Sequence, residues 1–250
     1  MMKRSRSIVE LISVATLIFL WQIVPVPTYL LPKPSQILLE LLRNQDVLLR
    51  HTSVTLYEAI AGYFLALLLG VAIASLMFLV ESVARTLLPI IVFTQTIPIT
   101  VVAPIVAIWF GFGIGTKIGT VAFLCFFPIV VNTYEGFKTV DREKLEFLKA
   151  HGAKWYHKLE HLYLPHTVPY TIAGMKVAIT YSLTAAVIAE WMGAQAGLGI
   201  YIIRALNSFR VDRVFTAVFI IIVFTLTLFY TLQFLQRKLF PWATKLEGGG

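Results

Sequence analysis

The residue spacing with the most obvious chemistry is a histidine–glutamate group in the second half of the chain. His157, Glu160 and His161 form the pattern H-x-x-E-H, in which two histidines on one helix face can bind zinc and the glutamate can act as a base. A zinc enzyme also needs a third protein ligand and a substrate cleft, and the surrounding loop is too short to supply a cleft. We therefore interpret the group as a solvated helix face, and expect no metal site and no bound cofactor.

These histidines belong to a polar segment, residues 138–166, that is flanked by apolar stretches with almost no charge. Asp141 can cap a first short helix, and Gly152 can end it in a left-handed turn. A second short helix has three large apolar residues on one face, Trp155, Leu159 and Leu162, and is expected to end at Pro165. Two amphipathic helices bent at a glycine form a compact elbow, and we use the term elbow for residues 138–166. Its charged and apolar faces suit a groove on a soluble partner.

The composition identifies an integral membrane protein. The 250 residues are 58% hydrophobic and 14% charged, with a mean hydropathy of +0.80, whereas soluble domains carry roughly 25% charged residues. The net charge of +8 does not indicate a nucleic-acid partner, because the positive residues form short clusters between apolar runs. Cys125 is the only cysteine, so no intramolecular disulfide can form.

Six apolar stretches are long enough to cross about 30 Å of hydrocarbon as helices, and they cover residues 8–24, 54–80, 86–110, 117–134, 167–190 and 214–236. The first follows a basic start without a cleavage site, which predicts a retained signal anchor. The segment from Pro34 to His51 has the pattern of an amphipathic helix at the outer interface. Four small residues recur at every fourth position of the second span, Gly62, Ala66, Gly70 and Ala74, and should allow close helix packing.

The distribution of positive charge predicts the orientation of these spans. Six crossings place both termini and the elbow on one side, together with thirteen lysines and arginines. Apart from Lys176 within the fifth span, the other side has seven: Lys33, Arg43, Arg50, Lys117, Arg204, Arg210 and Arg213. Because cytoplasmic loops carry the excess of positive residues, we expect both termini and the elbow in the cytoplasm.

The elbow also carries a spaced set of residues: Glu146, Gly152, Leu162, Leu164 and Pro165. This spacing resembles the cytoplasmic signature of the membrane subunits of type I ATP-binding-cassette (ABC) importers, E-A-A, three residues, G, nine residues, I-x-L-P. The chain departs from it where Phe147 and Leu148 replace the two alanines and where Leu162 replaces isoleucine. The resemblance implies that these residues and Ala153 form the coupling helix that inserts into the ATPase subunit.

The resemblance covers about residues 30–240 and is similar to the nitrate/sulfonate/taurine branch, and within it to permeases for the thiamine pyrimidine precursor or riboflavin. Four stretches carry it: LPKPS (31–35), QTIPITVVAPIVAIWFGFG (95–113), CFFPIVVNTYEGFKTVD (125–141) and AEWMGAQAGLG (189–199). Glu58 departs from the pattern, because relatives often carry arginine at that position.

The family resemblance implies a fold and a set of partners. The fold is an all-α, six-span permease of the MetI-like type in the bacterial inner membrane, with residues 1–53 as N-terminal helix and outer segment and 54–240 as the permease domain. Residues 241–250 form a tail whose final glycines are typical of an added sequence. The partners are a second permease copy, two ATPase subunits that bind ATP and Mg²⁺, and an external binding protein. The chain itself lacks the G-x-x-x-x-G-K-[ST] motif for ATP.

Several polar residues within or beside the spans are candidates for the translocation path: Gln95, Thr96, Asn132 and Tyr181. Hydrogen bonds between helices would explain each of them equally well. Glu190, with Trp191 beside it, lies near the outer end of the fifth span, where it could form part of a gate or simply reach the outer interface. Four aromatic residues are compatible with passage of a flat heterocycle: Trp109, Phe126, Phe127 and Trp191.

The sequence therefore predicts the permease subunit of an ATP-driven importer for a small organic solute, without enzymatic activity of its own. A thiamine pyrimidine precursor or riboflavin is the first hypothesis for the solute, and a sulfonate, taurine or nitrate is the next. The alternative is a secondary transporter driven by an ion gradient, which should show discontinuous helices in matching halves and charges near the midplane.

Overall fold

The computed structural model describes residues 2–243, and their side chains from residue 12 onward. Every regular element in this range is a helix: α1 Met2–Ile23, α2 Pro34–Arg43, α3 Gln45–Leu79, α4 Glu81–Gln95, α5 Ile99–Phe110, α6 Ile114–Lys138, α7 Arg142–Ala150, α8 Trp155–Lys158, α9 Leu164–Glu190, α10 Leu198–Asn207 and α11 Val211–Leu239. Most of the predicted tail, 241–250, lies outside the described residues.

Within residues 2–243, four helical units are long and apolar enough to span a membrane. They are α3, α6, the continuous unit Trp155–Glu190 and α11. The predicted third span, 86–110, is not one straight helix, because the chain there forms two helices, α4 and α5, that meet at an angle of 105°. Pro98 explains the break, since its ring prevents the residue before it from continuing a helix.

The bent pair crosses the bundle once, as the directions of its neighbours show. Along α3 and α6, Gly62 faces Val121 and Gly70 faces Ile129, so residue numbers rise together and the two helices run parallel. Because α4 and α5 are all that connects the end of α3 to the start of α6, the pair must return the chain to the other end of the bundle. Residues 45–239 therefore make five crossings.

The first predicted span, 8–24, falls on α1 except for its last residue, but the described apolar part of this helix, Ile12–Ile23, is shorter than a membrane span. The total of six spans therefore stays a prediction. The connection between α1 and α2 is fixed by Gln22, whose side-chain amide donates to the Ser35 hydroxyl at 3.0 Å and accepts from the Ser35 backbone N–H at 3.2 Å. The predicted amphipathic segment contains the helix α2.

The core lies where α3, α6 and α9 touch along their lengths. The four small residues of α3, Gly62, Ala66, Gly70 and Ala74, are all buried, which confirms the predicted close packing. A side-chain carbon on Gly62 would collide with Val121 and the Ile118 carbonyl, and one on Gly174 of α9 would collide with the Pro128 carbonyl of α6. The backbone of one helix therefore lies against side-chain or backbone atoms of the neighbouring helix.

We expect Gly62→Val to destabilise the fold by about 3 kcal/mol, because overpacking costs up to about that amount and a backbone carbonyl cannot move aside. Thermal unfolding in detergent measures the change. The matched control is Leu68→Val on the same helix, where the side chain is 70% exposed. Equal unfolding temperatures for the two variants would contradict the close packing of α3 on α6.

Candidate functional site

The first half of the elbow is a short helix with both ends fixed. Asp141 accepts a hydrogen bond from the Glu143 N–H at 2.9 Å and caps the start of α7, as predicted. At the other end, the Gly152 N–H donates to Lys149 and the Ala153 N–H donates to Leu148, both at 3.0 Å. This pair of bonds is a Schellman motif, and it requires the left-handed backbone of Gly152, φ +71°.

The second half of the elbow differs from the prediction. The helix from Trp155 does not end at Pro165 but continues through α9 to Glu190. A wide π turn, Leu159–Tyr163, connects α8 to α9, and the Leu164 N–H donates across it to the Leu159 carbonyl. Pro165 then lies in the first turn of α9. The wider turn lets the helix pass the proline, whose missing N–H would otherwise interrupt it.

An aromatic cluster holds this continuous helix against the ends of α3 and α6. Phe78 stacks on Phe137 with ring centroids 4.5 Å apart, and it also contacts Tyr163 at 4.7 Å and Trp155 at 5.9 Å. Aromatic pairs at these distances stabilise by about 0.5–1.5 kcal/mol each beyond burial. The root of the elbow is therefore fixed to the two other core helices.

The first helix of the elbow projects away from this root. None of its residues is buried, and Phe147 is 63% exposed. Of the eight residues predicted to contact the ATPase, Glu146, Phe147, Gly152 and Leu164 are exposed, and Leu148, Ala153, Leu162 and Pro165 are half-buried. The elbow thus presents an uncovered phenylalanine among charged side chains.

The residues predicted to line the translocation path lie at separate places in the structure. Gln95 and Thr96 are exposed beside the break between α4 and α5. Asn132 donates from its amide to the Pro128 carbonyl of its own helix at 2.7 Å, and Tyr181 is 47% exposed on α9. Of the four predicted aromatic residues, Phe127 is only 5% exposed and Phe126 is partly buried, so Phe127 is unsuited to stacking on a solute.

Glu190 is completely buried within the protein. Its carboxylate accepts from the Thr55 hydroxyl at 2.6 Å and, over a short distance, from the Gly199 N–H. Glu190 thereby ties the loop 191–197 and the start of α10 to α3. Glu58, one turn along α3 from Thr55, is also buried, and its Oε2 atom has no hydrogen-bond partner among the described residues.

The same face of α3 adds a further contact that sequence reasoning missed. The His51 ring accepts from the Gly197 N–H at 2.9 Å, and the Thr55 hydroxyl accepts from the Leu198 N–H at 2.7 Å. His51, Thr55 and Glu58 recur at helical spacing, which was the available signal for one common face. Lys117 of α6 is buried nearby and donates to the Phe112 carbonyl at 3.1 Å.

Comparison with known proteins assigns the chain to a family. Residues 66–245 match the model of the binding-protein-dependent transport system inner membrane component. The chain belongs to this family. The permease is 34% identical, over 218 residues that cover 87% of each chain, to the formylaminopyrimidine transport permease protein ThiX of Halalkalibacterium halodurans. It is 29% identical, over 94% of this chain and 87% of the other, to the putative aliphatic sulfonates transport permease protein SsuC of Bacillus subtilis.

Two further comparisons agree with this assignment. The permease is 27% identical to the riboflavin transport system permease protein RibX of Chloroflexus aurantiacus, over 86% of this chain and 81% of the other. Its fold matches a chain of the MetNI methionine ABC transporter with a TM-score of 0.65 at 16% identity, over 80% of this chain and 98% of the other. The MetI-like fold and the predicted branch are thus confirmed. The permease is a multi-pass inner membrane subunit of an ABC importer, and a separate ATPase hydrolyses ATP.

The two buried carboxyl groups should respond differently to the loss of charge. Glu190→Gln should cost about 1–3 kcal/mol of stability, because an amide cannot accept from both Thr55 and Gly199 and leaves a buried donor unpaired. Glu58→Gln should cost less than about 1 kcal/mol, because the structure gives the buried Oε2 atom of Glu58 no hydrogen bond that the substitution would remove. Thermal unfolding of the two purified variants gives the comparison. A loss at position 58 as large as that at position 190 would contradict the stabilising role given to the hydrogen bonds of Glu190.

Proposed function

We propose that the permease works as a homodimer whose elbows, residues 138–166, dock into two ATPase subunits and transmit their closure to the membrane helices. The ATPase subunits bind ATP and Mg²⁺, and this chain binds no cofactor and no nucleic acid. The observation that carries the proposal is the exposed Phe147 on a helix whose root is fixed by the aromatic cluster. A docked element can move the bundle only if its root is rigid, and Phe78, Phe137 and Tyr163 provide that rigidity.

Five of the eight predicted contact residues take three roles in this proposal. The exposed residues Glu146 and Phe147 contact the ATPase directly. Gly152 sets the angle between α7 and α8, because its positive φ leaves few substitutes without strain. Leu162 and Pro165 are half-buried and connect the elbow to α9, so substitutions there should alter coupling more than docking.

The second copy is proposed to cover the outward face of α5 and α6. An apolar groove of about 920 Å³ runs along this face and is lined by Ile97, Ile105, Trp109, Gly115, Gly119 and Phe123, among others. Trp109 is 73% exposed, and the break that carries Gln95 and Thr96 opens beside the groove. Two such faces brought together would enclose a path, with Glu190 and the loop 191–197 at the end away from the elbow as a gate.

The solute is proposed to be a small heterocycle such as a thiamine pyrimidine precursor or riboflavin. Support comes from the named relatives, one a formylaminopyrimidine permease and one a riboflavin permease, and from the exposed aromatic ring of Trp109 in the groove. An aliphatic sulfonate is the next hypothesis, through the relative SsuC. Gradient-driven transport expects broken helices in both halves, whereas the described residues show one broken span.

Co-purification with the ATPase tests the proposed coupling. Phe147→Asp should remove the ATPase from the purified complex, because a charge replaces the apolar group that enters the groove of the partner. The control is Phe64→Ala, because the Phe64 side chain is 59% exposed on α3 and lies far from the elbow. Alanine is used at this position because an aspartate there would lie inside the membrane. Recovery of stoichiometric ATPase with the Phe147→Asp variant would contradict docking through α7.

The sided labelling of single cysteines tests the proposed orientation. Cys125 is completely buried and gives little background, whereas Lys154 on the elbow and Asp46 at the start of α3 are exposed. In intact spheroplasts, an impermeant maleimide should label Asp46→Cys at once and Lys154→Cys only after the membrane is permeabilised. The reverse order would place the elbow outside the cell and overturn the proposal.

A further inference from the structure

The turn between α10 and α11 has the same backbone motif as the elbow, but an unfavourable residue type occupies its left-handed position. The Phe209 N–H donates to Leu206 at 3.0 Å and the Arg210 N–H donates to Ala205 at 2.9 Å, which is again a Schellman motif. In the elbow, glycine occupies the left-handed position. Here Phe209 occupies it with φ +54°, and it is the one non-glycine residue with positive φ among the described residues.

Packing of the Phe209 side chain within this chain does not compensate for the backbone strain. The side chain is 86% exposed, the highest value among the exposed large hydrophobic residues that the structure describes. An exposed bulky residue in the left-handed region is unfavourable in both backbone and solvation. Strained residues of this kind persist mainly where function requires them. The turn therefore holds an aromatic ring out from the end of the bundle opposite the elbow.

The base of this turn is held by a network of charges. Arg210 donates to both carboxylate oxygens of Asp212, at 3.0 and 2.7 Å, and these bonds raise the pKa of the arginine. Arg210 and Arg213 both contact Glu40 of α2, at 3.3 and 2.9 Å, and Glu40 is buried. The network fixes the turn to α2, so the backbone that carries Phe209 is held in place.

Phe209 forms one wall of a cleft of about 350 Å³ that also includes Tyr29, Gln36, Leu39 and Arg43. Tyr29 is 66% exposed, so two aromatic rings border a cleft with a charged floor. Between the spans at this end, six basic residues, Lys33, Arg43, Arg50, Arg204, Arg210 and Arg213, stand against three acidic ones, Glu40, Asp46 and Asp212. The surface is thus positive, with aromatic and arginine side chains, the types enriched at protein interfaces.

We propose that Phe209 and the adjoining cleft form a docking site for the extracytoplasmic binding protein, which offers an apolar pocket for the ring within an acidic face. This inference rests on the proposed function and its orientation, and goes beyond them by naming the surface. The family description itself names dependence on a binding protein. Lipid is the less suitable occupant, because aromatic residues at the membrane interface are mostly Trp and Tyr, which have polar tips. A fluid lipid surface also has no fixed pocket, so it does not require the ring to be held in one orientation by a strained backbone.

Replacement of Phe209 by glycine separates docking from folding. The permease is assembled with its ATPase in nanodiscs, and the probe is the purified binding protein that stimulates ATP hydrolysis by the wild-type transporter. Phe209→Gly should raise the concentration needed for half-maximal stimulation at least about tenfold. It should also raise the unfolding temperature by about 2–4 °C, since glycine relieves the positive φ. Phe209→Trp should retain stimulation, because it keeps an aromatic ring at the same place.

The outcomes distinguish the inference from the proposed function. Stimulation of Phe209→Gly at the wild-type concentration overturns the docking site, while the importer assignment stands. A wild-type transporter that no binding protein stimulates overturns both. Benzoylphenylalanine at position 209 gives a second measurement, with position 64 in the membrane as control. Photolysis should attach the binding protein at 209 and only lipid at 64, and attachment of lipid or a second permease at 209 overturns the site.

Discussion

The close contact of α3, α6 and α9 is the constraint on which the rest of the structure depends. Gly62, Gly70 and Gly174 leave no room for a side chain at the contacts between these helices, and this brings three long helices together without a gap. In a membrane, where lipid tails are as apolar as leucine, such packing contributes much of the association between helices. Both candidate functional regions are built on the ends of this three-helix core.

The unit Trp155–Glu190 connects those two regions directly. At about 1.5 Å per residue, its 36 residues reach roughly 54 Å. One end carries the aromatic cluster under the elbow, and the other carries Glu190, which binds α3 through Thr55 and the start of α10 through Gly199. A movement of the elbow would therefore reach the buried polar group at the far end through a single helix, without an intervening loop.

The sequence predicted those features that depend on neighbouring residues. The cap at Asp141, the left-handed Gly152 and the small residues of α3 follow from local geometry or periodicity, and the structure has all three. The end at Pro165 was wrong because a proline in a first helical turn is tolerated, and a π turn before it cannot be foreseen from composition. The contact of Thr55 with Glu190 was missed because periodicity gives the face of one helix but not the face opposite it. Phe209 gave no signal, since its strain is visible only in the backbone.

A flexible joint within the long helix tests the coupling account most directly. Two glycines inserted between His166 and Thr167 leave the elbow and the aromatic cluster intact but separate them mechanically from the rest of α9. The assembled transporter should still bind the ATPase in stoichiometric amount, and its ATP hydrolysis should no longer respond to the binding protein. Stimulation that survives the insertion would contradict transmission through this helix and leave the elbow as a docking element alone.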